Sequence, residues 1–131
     1  MSLQDPISDM ISRIKNAQSR GHSKVTFSSS KLKRAICDVL SDEGFIKKLE
    51  ITGDSPKQNI EITLKYFEDK PVIKEFSRSS KPGLRRYFGS NEIPTVKGGL
   101  GVAILTTSNG VITDKQAKSQ NIGGELICTI V

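Results

Sequence analysis

Thr106-Thr107-Ser108-Asn109 sets four hydrogen-bonding side chains in a row, and Asn109-Gly110 marks a tight hairpin turn there. Uncharged hydroxyls give little Coulomb energy, so such a loop is a poor general trap for polyanions. It can instead donate and accept at fixed points on sugars, phosphates and base edges. The same side chains can also satisfy the backbone of their own turn, and composition alone favours that use. A second group is Leu84-Arg85-Arg86-Tyr87-Phe88. In a strand, Arg85 and Tyr87 share one face and Arg86 and Phe88 the other. A guanidinium beside an exposed phenol pairs with phosphate and stacks on an unpaired base. The opposed faces let one aromatic enter the core while the other stays outside.

Catalytic chemistry finds little support. His22 is the one imidazole and sits in a polar Gly-His-Ser loop, where it reads as an exposed histidine rather than a base for a nucleophile. The carboxylates are scattered and mostly adjoin a cation, as in Asp69-Lys70 and Lys74-Glu75. Gly98-Gly99-Leu100-Gly101 lacks the lysine, hydroxyl and spacing of a phosphate loop. It reads as a tight turn or a close approach of strands. Cys37 and Cys128 match no zinc or redox spacing and are expected to be free thiols in a reducing cytoplasm. No catalytic residue, metal or cofactor is expected.

The chain of 131 residues is long enough to bury about two thirds of its unfolded surface. With no Trp and only seven aromatics, that core is built from Ile, Val and Leu. No run approaches the roughly 18 apolar residues that span a membrane. The start, Met1-Ser2-Leu3-Gln4-Asp5-Pro6, has neither a basic nor an apolar region, so no export signal is expected. Net charge is +6, which favours a polyanionic partner. The excess is concentrated: residues 74–97 hold six cations against two carboxylates, whereas residues 98–131 are balanced.

The elements that must position these residues follow from periodicity. Asp5 and Pro6 open a helix whose Ile7, Met10, Ile11 and Ile14 form one stripe, and Gly21 closes it. Residues 25–27 read as a strand. The serines at 28–30 cap a second helix carrying Leu32, Ala35, Ile36, Val39 and Leu40, and Gly44 ends it. Lys31, Lys33 and Arg34 crowd its first turn against the helix dipole, which calls for an anion or for solvent. Strands are expected at 45–52 and 60–67, with a turn at 53–56 between them. Glu68-Asp69-Lys70-Pro71 reads as a boundary. Beyond it lie strands around 72–77, 84–88 and 102–105, then a type I′ hairpin at Asn109-Gly110. A return strand, a short helix capped by Asp114 and a last strand at 125–131 follow. The fold class is α+β in two small lobes. Residues 1–68 run helix, strand, helix, strand, strand; residues 72–131 are mainly β with one short helix.

Two stretches go beyond composition. Asp5-Pro6-Ile7-Ser8-Asp9-Met10-Ile11-Ser12-Arg13-Ile14-Lys15-Asn16-Ala17 closely resembles the opening of the small-subunit ribosomal protein eight family. The run from Gly101 through Thr106-Thr107-Ser108-Asn109-Gly110 to Asp114, and Gly123-Gly124-Glu125-Leu126-Ile127-Cys128, resemble its ending. Between them Ser29-Ser30-Lys31, Glu43-Gly44-Phe45-Ile46, Leu64-Lys65-Tyr66 and Lys81-Pro82-Gly83-Leu84-Arg85 stand in family order, so the resemblance spans essentially the whole chain.

The resemblance implies a structural, non-enzymatic constituent of the 30S subunit. Such a protein binds the central domain of 16S rRNA at a helix with an irregular core and helps assemble the platform. It implies that most RNA contacts come from the second lobe, through Thr106, Thr107, Ser108 and Tyr87, with Gly124 and Glu125 near the RNA. Lys31, Asn16 and Lys57 match RNA-facing positions of the first lobe. The implied partners are small-subunit proteins five and twelve and the operon's own mRNA, which family members repress; the implied location is cytoplasmic and ribosome-bound, with no membrane. The family loop more often begins with Ser where Thr106 stands and often carries Lys where Asn109 stands, so this tip relies less on charge. From the residues themselves, Lys31, Lys81, Arg85 and Arg86 are expected to supply general attraction, Tyr87 stacking, and the hydroxyl loop specificity. The rivals are a small nucleotide enzyme using the glycine cluster, and a DNA-binding or protein-docking module.

Overall fold

The computed structural model describes residues 5–54 and 56–131. Met1–Gln4, read against an export signal, and Ser55 of the 53–56 turn lie outside the described residues. The chain divides into two compact units, Ile7–Ile73 and Met1–Pro6 with Lys74–Val131.

The first unit is built on α1 (Pro6–Ser19), β1 (Lys24–Ser28), α2 (Lys31–Asp42), β2 (Ile46–Thr52) and β3 (Asn59–Leu64). Its sheet is antiparallel in the order β1-β3-β2. The central strand buries Ile60, Ile62 and Leu64, as its alternation requires. The helices bury Ile7, Met10, Ile11, Ile14 and Ala17, and Ile36, Cys37, Val39 and Leu40. Ser30 caps α2, its hydroxyl accepting from the Lys33 amide at 3.2 Å.

In the crowded first turn of α2, Lys31 and Arg34 are exposed to solvent, as one of the two expectations had it, while Lys33 finds an answer that is neither anion nor solvent. Lys33 is only 6% exposed. Its Nζ donates to the Ser28 carbonyl at 3.2 Å and to Ser28 Oγ at 3.3 Å. It also stands 5.9 Å over the Phe27 ring.

The alternating strand stops at Leu64 rather than running on to Phe67. Tyr66–Phe67 forms β4 and pairs instead with Lys70–Pro71, β5. Glu68 and Asp69, read as boundary residues, make the turn of this hairpin, with φ of 51° and 64°. A type I′ hairpin turn takes positive φ at both central positions, which Asp69 tolerates more readily than Glu68. The break leaves Tyr66 half-buried, its hydroxyl donating to the His22 carbonyl at 2.6 Å.

The second unit contains β6 (Phe76–Arg78), β7 (Tyr87–Phe88), β8 (Val102–Thr107), β9 (Gly110–Thr113), α3 (Asp114–Ser119) and β10 (Gly124–Ile130). The sheet is antiparallel in the order β6-β10-β8-β9, and β7 also pairs with β10. Ile93, Ala103, Leu105, Ile112, Ala117 and Leu126 form a buried cluster, with Phe88, Val96 and Ile122 packed against it.

Four expectations change here. The strand expected at 72–77 forms only at Phe76–Arg78. The strand expected at 84–88 shrinks to Tyr87–Phe88; Ser80 is buried and its hydroxyl, not a strand partner, accepts from the Arg86 amide at 2.8 Å, so Arg85 and Arg86 stay outside the strand. Thr113, not Asp114, caps α3: its hydroxyl accepts from the Gln116 amide, and Gln116 Oε1 accepts from the Thr113 amide at 3.0 Å. Asp114 is instead buried, accepting from the Ala103 amide at 3.3 Å. The hairpin after β8 is not type I′: Thr107 pairs with Gly110, and of Ser108, Asn109 and Gly110 only Gly110 has positive φ, at 97°. Ser108 and Asn109 make the turn without positive φ, and the left-handed residue is Gly110, at the start of the return strand.

Candidate nucleic-acid interface

The register of the second sheet places four residues in one row across four strands. Val111 of β9 is opposite Thr106 of β8, Thr106 opposite Glu125 of β10, and Glu125 opposite Tyr87 of β7. Residues opposite one another in antiparallel pairs point to the same side. Their neighbours Ile112, Leu105 and Leu126 point to the other side, into the buried cluster. The row therefore lies on the face away from that cluster, at the end of the sheet where the β8–β9 loop begins.

Its members differ chemically. Tyr87 is 68% exposed, a flat surface open to stacking. Phe88, next in the chain, packs against the buried cluster, as opposed faces require. The Glu125 side chain is 14% exposed and its Oε2 accepts from Arg85 Nη1 at 3.0 Å, the Arg85 side chain being 51% exposed. That hydrogen bond, and then the carboxylate's charge, hold the Arg85 guanidinium above its already high ordinary pKa. Thr106 Oγ1 is buried and has no hydrogen-bond partner among the described residues.

The loop hydroxyls divide between both uses considered from sequence. Thr107 Oγ1 donates to the Gly110 carbonyl at 2.9 Å and accepts from the Asn109 amide at 3.1 Å. It serves its own turn. Asn109 Nδ2 donates to Gln120 Oε1 at 2.9 Å, tethering the tip to the end of α3. Ser108 stands exposed between them. Arg86 is exposed, while its carbonyl accepts from the Leu126 amide at 2.9 Å. Lys81 is exposed on the Lys81–Leu84 turn. Gly124 adjoins the Thr106 carbonyl. Sequence reasoning missed Thr113 and Ser80. The Thr113-x-x-Gln116 spacing is a readable capping signal; nothing local marks Ser80 as buried.

In the first unit Lys31, Asn16 and Lys57 are all exposed. Lys31 and Lys57 come near one end of β1, where the Ser29 amide donates to the Gln58 carbonyl at 2.9 Å. Asn16 is elsewhere, in an open cavity of about 330 Å³ that Arg13, Arg20, His22 and Lys24 also line. Two of those cations are already paired, Arg13 with Asp9 at 2.9 Å and Lys24 with Glu61 at 3.3 Å.

The family described as ribosomal protein S8 matches residues 5–131. The chain is 54% identical, over 99% of both chains, to the small ribosomal subunit protein uS8 of Cellvibrio japonicus (strain Ueda107). It shows the same identity and coverage with that of Teredinibacter turnerae (strain ATCC 39867 / T7901). The uS8 of Saccharophagus degradans (strain 2-40 / ATCC 43961 / DSM 17024) is 52% identical over the same share.

Proposed function

The chain belongs to the ribosomal protein S8 family, structural components of the small ribosomal subunit, and from that premise we propose that it binds the central domain of 16S rRNA through the Thr106–Glu125–Tyr87 row and the loop beside it. The observation that carries this reading is the row itself, where an exposed phenol, a carboxylate-held guanidinium and an unpartnered hydroxyl share one face. A-form RNA hides its base edges in a deep groove, so proteins read its shallow groove, its 2′-hydroxyls and bases splayed from irregular sites. Thr106 and Ser108 are short, and ordering them costs less entropy than ordering lysine. Tyr87 offers a stacking surface worth about 1–3 kcal/mol per base. Lys31, Asn16 and Lys57 extend the contact to a second stretch of RNA, and Lys81 and Arg86 add attraction to phosphate. Small-subunit proteins five and twelve are its proposed neighbours, and the operon's own mRNA a second ligand of the same face.

No helix among the described residues is long and apolar enough to cross a membrane. The test is chemical footprinting of 16S rRNA with and without the protein, repeated with Tyr87→Ala and Ser108→Ala. Protection confined to an irregular helix of the central domain, and weakened by both variants, is the expected result. Protection elsewhere, or none, overturns the proposal.

A further inference from the structure

We infer that Glu125 is the specificity-determining residue of this face: its carboxylate offsets Arg85 toward plain phosphate and accepts a hydrogen bond from a 2′-hydroxyl or exocyclic amino group of the proper RNA. The inference rests on the RNA-binding reading and assigns a role within it. A carboxylate in the middle of a face that meets a polyanion works against affinity, so its position calls for another explanation. Glu125 is not a rim residue. It lies between Thr106 and Tyr87 in register, mostly buried, with its oxygen 3.0 Å from Arg85.

Phosphate only accepts hydrogen bonds, and so does an ionised carboxylate. A phosphate approaching Arg85 thus meets a cation whose charge is already balanced 3.0 Å away, and it gains little attraction or counterion release. RNA also carries donors, on its 2′-hydroxyls and on the amino groups of bases, and these are what Glu125 can accept. The phosphates of a uniform duplex have nothing to donate to Glu125, and its 2′-hydroxyls stand only at regular positions in the shallow groove, whereas a splayed, irregular site can bring a donor to Glu125 while a base reaches Tyr87. Discrimination then arises from a built-in penalty against the wrong ligand as much as from attraction to the right one.

The experiment compares wild type, Glu125→Gln and the double variant Arg85→Gln/Glu125→Gln. The probes are a central-domain rRNA fragment containing the irregular helix and a perfect RNA duplex of equal length, each titrated from low to moderate salt. Thermal melts confirm that each variant folds. Glu125→Gln should bind the duplex about three- to tenfold more tightly, with log K against log salt steeper by about one, and should bind the rRNA fragment no more tightly than wild type. The double variant should lose the gain on duplex, because Arg85 is the cation released. Equal tightening on both RNAs makes Glu125 a mere repulsive charge and overturns the inference. Equal weakening with an unchanged salt slope makes it structural and also overturns it. If wild type itself fails to prefer the rRNA fragment, the proposed function falls first, and this inference with it.

Discussion

Gly124 lies hard against Thr106: a β-carbon at position 124 would stand 2.3 Å from the Thr106 carbonyl oxygen and 2.8 Å from Thr107 Cγ2. The 2.3 Å obstacle is backbone, so it cannot swing aside. The glycine sets how closely β10 approaches β8 just where the hydroxyl loop begins, and so how Thr106 and Glu125 are spaced.

Gly124→Ala should therefore destabilise the chain by about 1–3 kcal/mol, the range for forcing extra carbon into a packed site. Urea unfolding of the wild type and the variant measures this. The variant should also lose affinity for the rRNA fragment while keeping its affinity for a plain duplex. A variant as stable as wild type would show that the strands separate freely and that the glycine has no spacing role.

Asp5 and Arg78 form a second long-range pair. The Arg78 side chain is 10% exposed and donates to the Ile127 carbonyl at 2.8 Å and to both Asp5 oxygens at 3.1 and 3.4 Å. Removing one partner strands the other's charge. Asp5→Ala is expected to cost about 3 kcal/mol, and Asp5→Ala/Arg78→Met appreciably less than the sum of the single losses. A double-mutant cycle by chemical denaturation decides this; strict additivity would mean that the two side chains do not interact.

Burial pushes the Cys37 thiol from its ordinary 9.0 up to about 12, with the charge of Asp38 adding to the effect and that of Lys33 opposing it. Below pH 9 the thiol is protonated whether the chain is folded or not, and its contribution is intact. Between about 9 and 12 the unfolded chain releases the proton while the folded chain keeps it, so stability falls as pH rises. The stability difference between wild type and Cys37→Ala should shift steadily toward the variant over that window. A difference that stays flat from pH 8 to 11 would contradict this.

Lys31 and Lys33 stand two residues apart and should behave oppositely. Lys31→Gln should leave the melting temperature unchanged and flatten the salt dependence of rRNA binding by about one unit. Lys33→Met removes the bonds to Ser28 and should cost about 1–2 kcal/mol of stability with no change in salt slope. Salt titrations and melts on the two variants separate a ligand-facing cation from an internal one.

The amino-acid sequence alone determined much of this protein. The stripes of α1 and α2, the alternation of β3 and the end motifs specify two α+β lobes, because burial of a regular element depends on spacing within about ten residues. The opposed faces of Tyr87 and Phe88 were legible for the same reason. Tertiary structure decided which polar groups remain available. Arg85 meets its carboxylate 40 positions away, and Tyr66 abandons its strand for a carbonyl 44 positions away. Thr107 donates to and accepts from its own turn, while Thr106 Oγ1 has no partner among the described residues. The clearest case is β10, where an irregularity between Leu126 and Cys128 leaves Leu126, Ile127 and Cys128 all buried. Alternation along that strand therefore cannot say which face Glu125 takes. Only its pairing with Thr106 and Tyr87 does, since strand register is set by contacts between segments far apart in the chain.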